Sequence, residues 1–169
     1  MAFVSLIMRA PQYRTRLLPI SALVDSGSPW TSLAPLDSKM LNVPIKALRR
    51  ATNHPRIMFA GDEFWRLLMN NIELYLKDQN GEIVKLELPS VTVLDPIRKT
   101  PAEEYRGIPS VIGVNFIRIH KMALHLDLNK NIAVLESSKA RKGKLYYFLA
   151  CAFRLFQLHR EQLCNLHQL

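Results

Sequence analysis

Apolar residues in this chain come in short blocks, many of them alternating with polar ones, separated by turn-forming residues. That is the pattern of strands rather than of long helices. Residues 3–8 predict a first strand and 17–24 a second, with a turn at Pro11 between them. Residues 35–50 predict a loop with a short helical turn at 36–41. Apolar runs on either side of Ala60-Gly61-Asp62 predict a hairpin over 56–68. A second hairpin is predicted from 72–76 and 83–88, because Asn80-Gly81 between them is a strong hairpin signal. Residues 91–94 predict a further strand, 95–109 a polar loop with three prolines, and 116–121 a short helix that Asn115 can cap. Residues 123–127 and 132–135 predict a closing hairpin. From 139 onward the apolar positions Leu145, Phe148, Leu149, Ala152, Leu155, Phe156, Leu163 and Leu166 fall at helical spacing. They predict an amphipathic helical tail.

One strand leads to chemistry. Ala22-Leu23-Val24 climbs to a single carboxylate, Asp25, and the small residues Ser26, Gly27 and Ser28 follow at once. A strand therefore delivers Asp25 to a tight turn with little bulk around it, and the two serine hydroxyls are candidate donors to the carboxylate. Asp, Ser and Gly also favour ordinary turns, so these residues alone leave a solvated turn and a catalytic loop both open.

A second stretch, Val111-Ile112-Gly113 before the predicted helix, joins the first. Together they resemble the retropepsin family, the single-domain aspartic proteases of retroviral type. The resemblance implies a mostly β fold, a closed antiparallel barrel with one short helix near the second signature. It implies that Asp25 is catalytic and that Ser26, Gly27, Ser28 and Thr31 form its loop, with Thr31 pinning it. Ala60, Gly61 and Asp62 become the tip of a flap that closes over substrate. Viral members carry an Asp–Arg ion pair where Pro29 and Val114 stand here, so that pair is absent. Trp30, beside the loop, reads as a loop anchor or as a substrate contact.

Length and charge then bound the picture. The chain has 169 residues, and the resemblance assigns 1–138 to the protease-like domain and 139–169 to the tail. There is one Asp-Ser-Gly and no second copy, so the partner carboxylate has to come from another chain in a symmetric homodimer. The segment before Asp25 is used up by the first hairpin, which leaves the tail or 132–135 to supply the dimer sheet. The net charge is +9, with 17 basic and 13 acidic residues up to Ser138 and 6 and 1 beyond it. The body is thus mildly basic, and it carries no nucleic-acid motif. The basic pair Arg49-Arg50 reads as a solvated corner.

Cys151 and Cys164 fit neither a metal set nor a disulfide framework, and the five histidines have no ligand spacing. The expectation is no metal and no cofactor. The first residues do not read as a secretory signal, and no apolar run reaches the ~20 residues a spanning helix needs. The expected location is cytoplasmic, with three roles open for the tail: packing on its own domain, pairing in the dimer, or lying on a membrane surface.

The expected function is an aspartic endopeptidase. Its substrate is an extended peptide, with a preference for hydrophobic side chains suggested by Val24, Ile57, Phe59, Val111 and Ile112. The rival from another class is a retropepsin-like module that dimerises or binds peptides without catalysis. A third reading is a domain cut from a larger polyprotein.

Overall fold

The computed structural model describes residues 2–78, 80–98, 100–127, 132–137 and 145–150. Eleven strands join in one sheet: β1 (Ala2–Arg9), β2 (Leu18–Val24), β3 (Ser32–Leu33), β4 (Arg49–Arg50), β5 (Arg56–Phe59), β6 (Asp62–Lys77), β7 (Ile83–Pro96), β8 (Ser110–Ile112), β9 (Met122–Asp127), β10 (Ile132–Ser137) and β11 (Leu145–Ala150). Among the described residues two short α-helices accompany them, α1 (Pro35–Met40) and α2 (Val114–Ile119).

β1 and β2 form an antiparallel pair from Ala2↔Val24 to Met8↔Leu18. Their buried positions alternate, and Leu18, Ile20, Ala22 and Val24 all turn to the core. That phase puts the next residue, Asp25, on the opposite face, away from the core. The far edge of β1 is shared between β6, at Leu6↔Leu76 to Arg9↔Glu73, and β11, at Phe3↔Ala150. From β1 the pairings run through β2, β8, β3, β7 and β6 and return to β1. Most are antiparallel. Two are parallel, β2 with β8 and β3 with β7, where the family resemblance implied antiparallel pairing. Both lie where chain segments distant in sequence meet at the Asp25 turn, so no hairpin dictates their direction.

The sheet encloses a core of Val4, Leu6, Met8, Ile20, Leu33, Met69, Leu74, Val93 and Phe116, among others. Each such side chain, fully buried, contributes about 1.5–3 kcal/mol of transfer free energy. A second cluster, Ala34, Phe64, Leu94, Tyr105 and Ile108, sits under the β5–β6 hairpin, with Ile57 and Phe59 packed on it. The 95–109 segment is anchored there by Tyr105 and Ile108, and Lys39 of α1 pairs with its Glu103.

Two segments depart from expectation. The predicted strands 62–68 and 72–76 are one strand, β6, and 83–88 and 91–94 are likewise one, β7. What looks like a break in sequence is Asn71, at φ 55°, and Pro89, which has no amide hydrogen to give. They stand between the paired residues Asn70↔Ser90 and Ile72↔Leu88, and the ladder resumes beyond them.

The helical tail is corrected over Leu145–Ala150, which is a strand, β11, paired with β10 and β1. Leu-Tyr-Tyr-Phe-Leu-Ala is rich in aromatics that suit a pleated sheet, and six residues are too few to separate a helical period from a strand. Strand β11 lies past 138, so the sheet includes residues assigned above to the tail. The rest of the expected amphipathic helix, 151–169, falls outside the described residues. No helix among the described residues is long and apolar enough to cross a membrane.

Candidate active site

Asp25 leaves the end of β2 half-exposed, with Ser26 and Gly27 exposed beyond it. Three backbone contacts shape the turn. The Asp25 amide donates to the Ile112 carbonyl (3.1 Å), the Ser28 amide donates to the Asp25 carbonyl (3.2 Å), and the Val114 amide donates to the Ser28 carbonyl (2.8 Å). The carboxylate itself accepts a hydrogen bond from the Gly27 amide at Oδ1, 2.8 Å away. This differs from the expected serine donors. The Ser28 hydroxyl donates instead to the Trp30 carbonyl (2.8 Å), and no hydrogen bond joins the Ser26 side chain to Asp25 among the described residues. The physical reason is the tightness of the turn, which aims the Gly27 N–H inward and the serine side chains elsewhere. The carboxylate is therefore oriented through one oxygen.

Behind the turn the chain is clamped. Thr31, nearly fully buried, has its amide and hydroxyl both donating to Asn115 Oδ1 (2.7 and 2.8 Å), and its Oγ1 accepts from the Gly113 amide (3.2 Å). Asn115 was expected to cap the helix that follows. The N-cap is Gly113, with no side-chain cap hydrogen bond, and Asn115 serves the turn from inside the first turn of α2. Next to this clamp the Ser110 hydroxyl donates to Asp37 Oδ2 (2.5 Å) and accepts from the Ala34 amide (3.0 Å). The clamp makes a testable prediction. Thr31→Val and Asn115→Leu should each destabilise by about 1–3 kcal/mol, since each strands polar groups beside the turn. In a double-mutant cycle by urea denaturation they should couple by about 1 kcal/mol or more, and simple additivity would contradict the clamp.

The structure thus brings together Asp25, Gly27, Ser28, Thr31, Ile112 and Gly113. Val111 and Ile112, along with Val24, are buried. Val24 and Ile112, paired across β2 and β8, lie in the main core cluster, while Val111, the neighbour of Ile112 on the strand, points to the opposite face of the sheet.

Ala60 and Gly61 are the two-residue tip of the β5–β6 hairpin, and Phe59↔Asp62 is its last pair. Both tip residues have positive φ, 50° and 88°, which is the primed turn that suits twisted strands and that Gly accepts without strain. Ile57 and Phe59 pack beneath the hairpin, and Met58 on its other face is 67% exposed.

Sequence reasoning missed the link between this hairpin and the Asp25 turn. Arg66, on β6 and only 5% exposed, lays its guanidinium carbon 3.6 Å from the centre of the Trp30 ring. Its Nη1 donates to the carbonyls of Asn53 (2.9 Å) and His54 (3.3 Å), while Nε is buried with no partner among the described residues. One such stranded donor costs about 1–3 kcal/mol. Burial also pulls the Arg66 pKa below its ordinary value. An arginine inside the apolar run from Phe64 to Met69 was the available signal. Nearby, Arg50 and Arg56 both lie on the Trp65 ring, at 3.9 and 4.4 Å.

Beside the turn opens a groove lined by Ser26, Gly27, Pro29, Val114, Arg118 and Ile119. Pro29 and Val114 meet here, at the positions of the absent ion pair. Among the described residues no group of three His, Cys, Asp or Glu side chains could hold a metal ion.

No family model matches the chain, and no curated protein matches it. Solved structures do. The retroviral protease-like domain of Ddi1 from Leishmania major is similar at 12% identity and a TM-score of 0.48, covering 90% of this chain and 98% of that one. EIAV protease complexed with the inhibitor HBY-793 is similar at 14% identity and a TM-score of 0.44, covering 73% and 91%.

Proposed function

We propose that this chain is one half of an aspartic endopeptidase, a retropepsin-like barrel whose two Asp25 carboxylates meet across the twofold axis of a homodimer. The observation that carries the reading is the state of Asp25. It is a half-exposed carboxylate at a strand end, with one oxygen held by the Gly27 amide, on a turn clamped by Thr31, Asn115 and Gly113. A turn that served only to reverse the chain would not need so many fixings.

The chemistry follows from two such groups at close range. Two carboxylates a few ångströms apart cannot both ionise easily, so the pair holds one proton between them. The ionised member takes a proton from water as the water attacks the scissile carbonyl. The protonated member hydrogen-bonds the carbonyl oxygen and afterwards gives a proton to the leaving amine. Substrate lies extended between the β5–β6 hairpin and the turn, adding its backbone hydrogen bonds to theirs. Ile57 and Phe59, half-buried beneath the hairpin, are apolar residues that favour hydrophobic side chains near the cut bond.

The twofold axis has to pass near Asp25, so the groove beside the turn faces its own copy. Ile119, 41% exposed there, is the apolar residue best placed to be covered. Ile119→Asp should weaken self-association by about tenfold or more, read by sedimentation, with an unchanged circular dichroism spectrum. Unchanged association would move the axis away from this groove.

The test of the function is binding of a statine-type peptide, whose hydroxyl carbon mimics the tetrahedral intermediate. Binding and cleavage that both follow dimer concentration support the enzyme. A dimer that binds extended peptides and cleaves none is the catalytically silent module.

A further inference from the structure

We propose that Arg66 is a positioning residue, one that sets the Trp30 ring beside the catalytic turn and fastens the root of the β5–β6 hairpin to it. The inference rests on the protease reading for its effect on substrate, and on geometry alone for its effect on Trp30.

Three contacts converge on this side chain. Its face covers the Trp30 indole, and its Nη1 reaches the carbonyls of Asn53 and His54. Its own backbone completes the tie, since the Arg66 amide donates to the Pro55 carbonyl and the Ala51 amide donates to the Arg66 carbonyl, both at 2.8 Å. Main chain and side chain of one residue therefore hold the whole 51–55 segment, which leads directly into β5. The side chain then continues to the loop that carries Asp25. On that loop the Trp30 carbonyl accepts from Ser28, and Thr31 is held by Asn115, so the backbone under the indole is already fixed. What remains free is the orientation of the ring: Arg66 covers its face, and the His54 ring, whose backbone carbonyl Arg66 also holds, stands tilted to it at 6.3 Å.

The residue type matters. A methionine or leucine would pack on an indole without burying a charge or stranding Nε. Neither could bridge a ring face and two carbonyls at once. A planar guanidinium does both, and a lysine does not reproduce that geometry. Asn53 and His54 are exposed, so water can take over their carbonyls in a variant, and the fold should survive the loss.

The consequence is a fixed spacing between hairpin and turn. An extended peptide has to hydrogen-bond both, so loosening their link should weaken substrate binding more than the chemical step. The chain has two tryptophans, so a Trp65→Phe background leaves Trp30 as the sole indole emitter.

In that background Arg66→Met should shift Trp30 emission to the red and make it easier to quench with acrylamide, with circular dichroism unchanged. Arg66→Lys should move the same signals the same way by less, and it serves if the methionine variant folds poorly. For a cleaved peptide, KM should rise about tenfold while kcat stays within about threefold. Unchanged Trp30 emission and quenching in both variants would overturn the proposal. So would lower stability with KM unaltered, which is what a purely structural arginine gives. If the wild type cleaves no peptide, the protease reading falls, and the Trp30 signals still decide the role of Arg66.

Discussion

Asp25→Asn should abolish peptide cleavage, by a factor of about 10³ or more, while leaving the fold and the dimer in place. The expectation follows from how the carboxylate is held. Its one internal hydrogen bond among the described residues comes from the Gly27 amide to Oδ1, and an asparagine carbonyl oxygen can accept that bond in the same place. The turn should keep its shape, because the Ser28, Thr31 and Gly113 contacts do not use the Asp25 side chain. What disappears is the ability to take and return a proton. For the wild type, turnover that needs one proton on the pair should give a bell-shaped pH dependence, highest on the acid side of neutral. The measurement is cleavage of a hydrophobic peptide library from about pH 4 to 7, both proteins side by side. Equal cleavage by the asparagine variant would place the activity elsewhere.

Gly113→Ala should cost more stability than any other single methyl group added to a glycine of the described chain, about 4 kcal/mol or more, or prevent folding. A Cβ built at Gly113 runs into the carbonyl carbon and oxygen of Trp30 and comes within 2.8 Å of the Ser28 carbonyl oxygen. These are backbone atoms of the clamped loop and cannot rotate away as a side chain would. The cause is space alone, because Gly113 has φ −95°, which any residue adopts. Gly107 is the internal control. It is exposed, and nothing lies within 4 Å of a Cβ placed there. Gly107→Ala should change stability by no more than about 0.5 kcal/mol. Urea denaturation of both variants checks the pair. If Gly113→Ala is tolerated like Gly107→Ala, the turn is not held against the chain that crosses it.

The parts of this structure legible in the sequence are those that local chemistry specifies. The strand entering Asp25, the tight Ser-Gly turn, the Asn80-Gly81 hairpin and the short helix after Gly113 all follow from neighbours a few residues apart. The tip at Ala60 and Gly61 was legible from composition. Contacts between distant segments were not. Thr31 and Asn115 are 84 positions apart, and Asn115 looked like a helix cap because its local context allows that role equally. The parallel β2–β8 and β3–β7 pairings are set by the closing of the sheet, which leaves no local trace. Pro89 disguised β7 as two strands, and an apolar run with both periodicities disguised β11 as helix. Arg66 on Trp30 joins two elements whose sequences say nothing about each other.

The central claim is that one active site takes an Asp25 from each of two chains. The most direct test mixes wild-type and Asp25→Asn subunits in varying ratio at fixed total concentration, lets them exchange, and measures cleavage. If each site needs both carboxylates, mixed dimers are silent and activity should fall as the square of the wild-type fraction. Activity falling in simple proportion to that fraction would mean that each chain works alone, and would contradict the shared site.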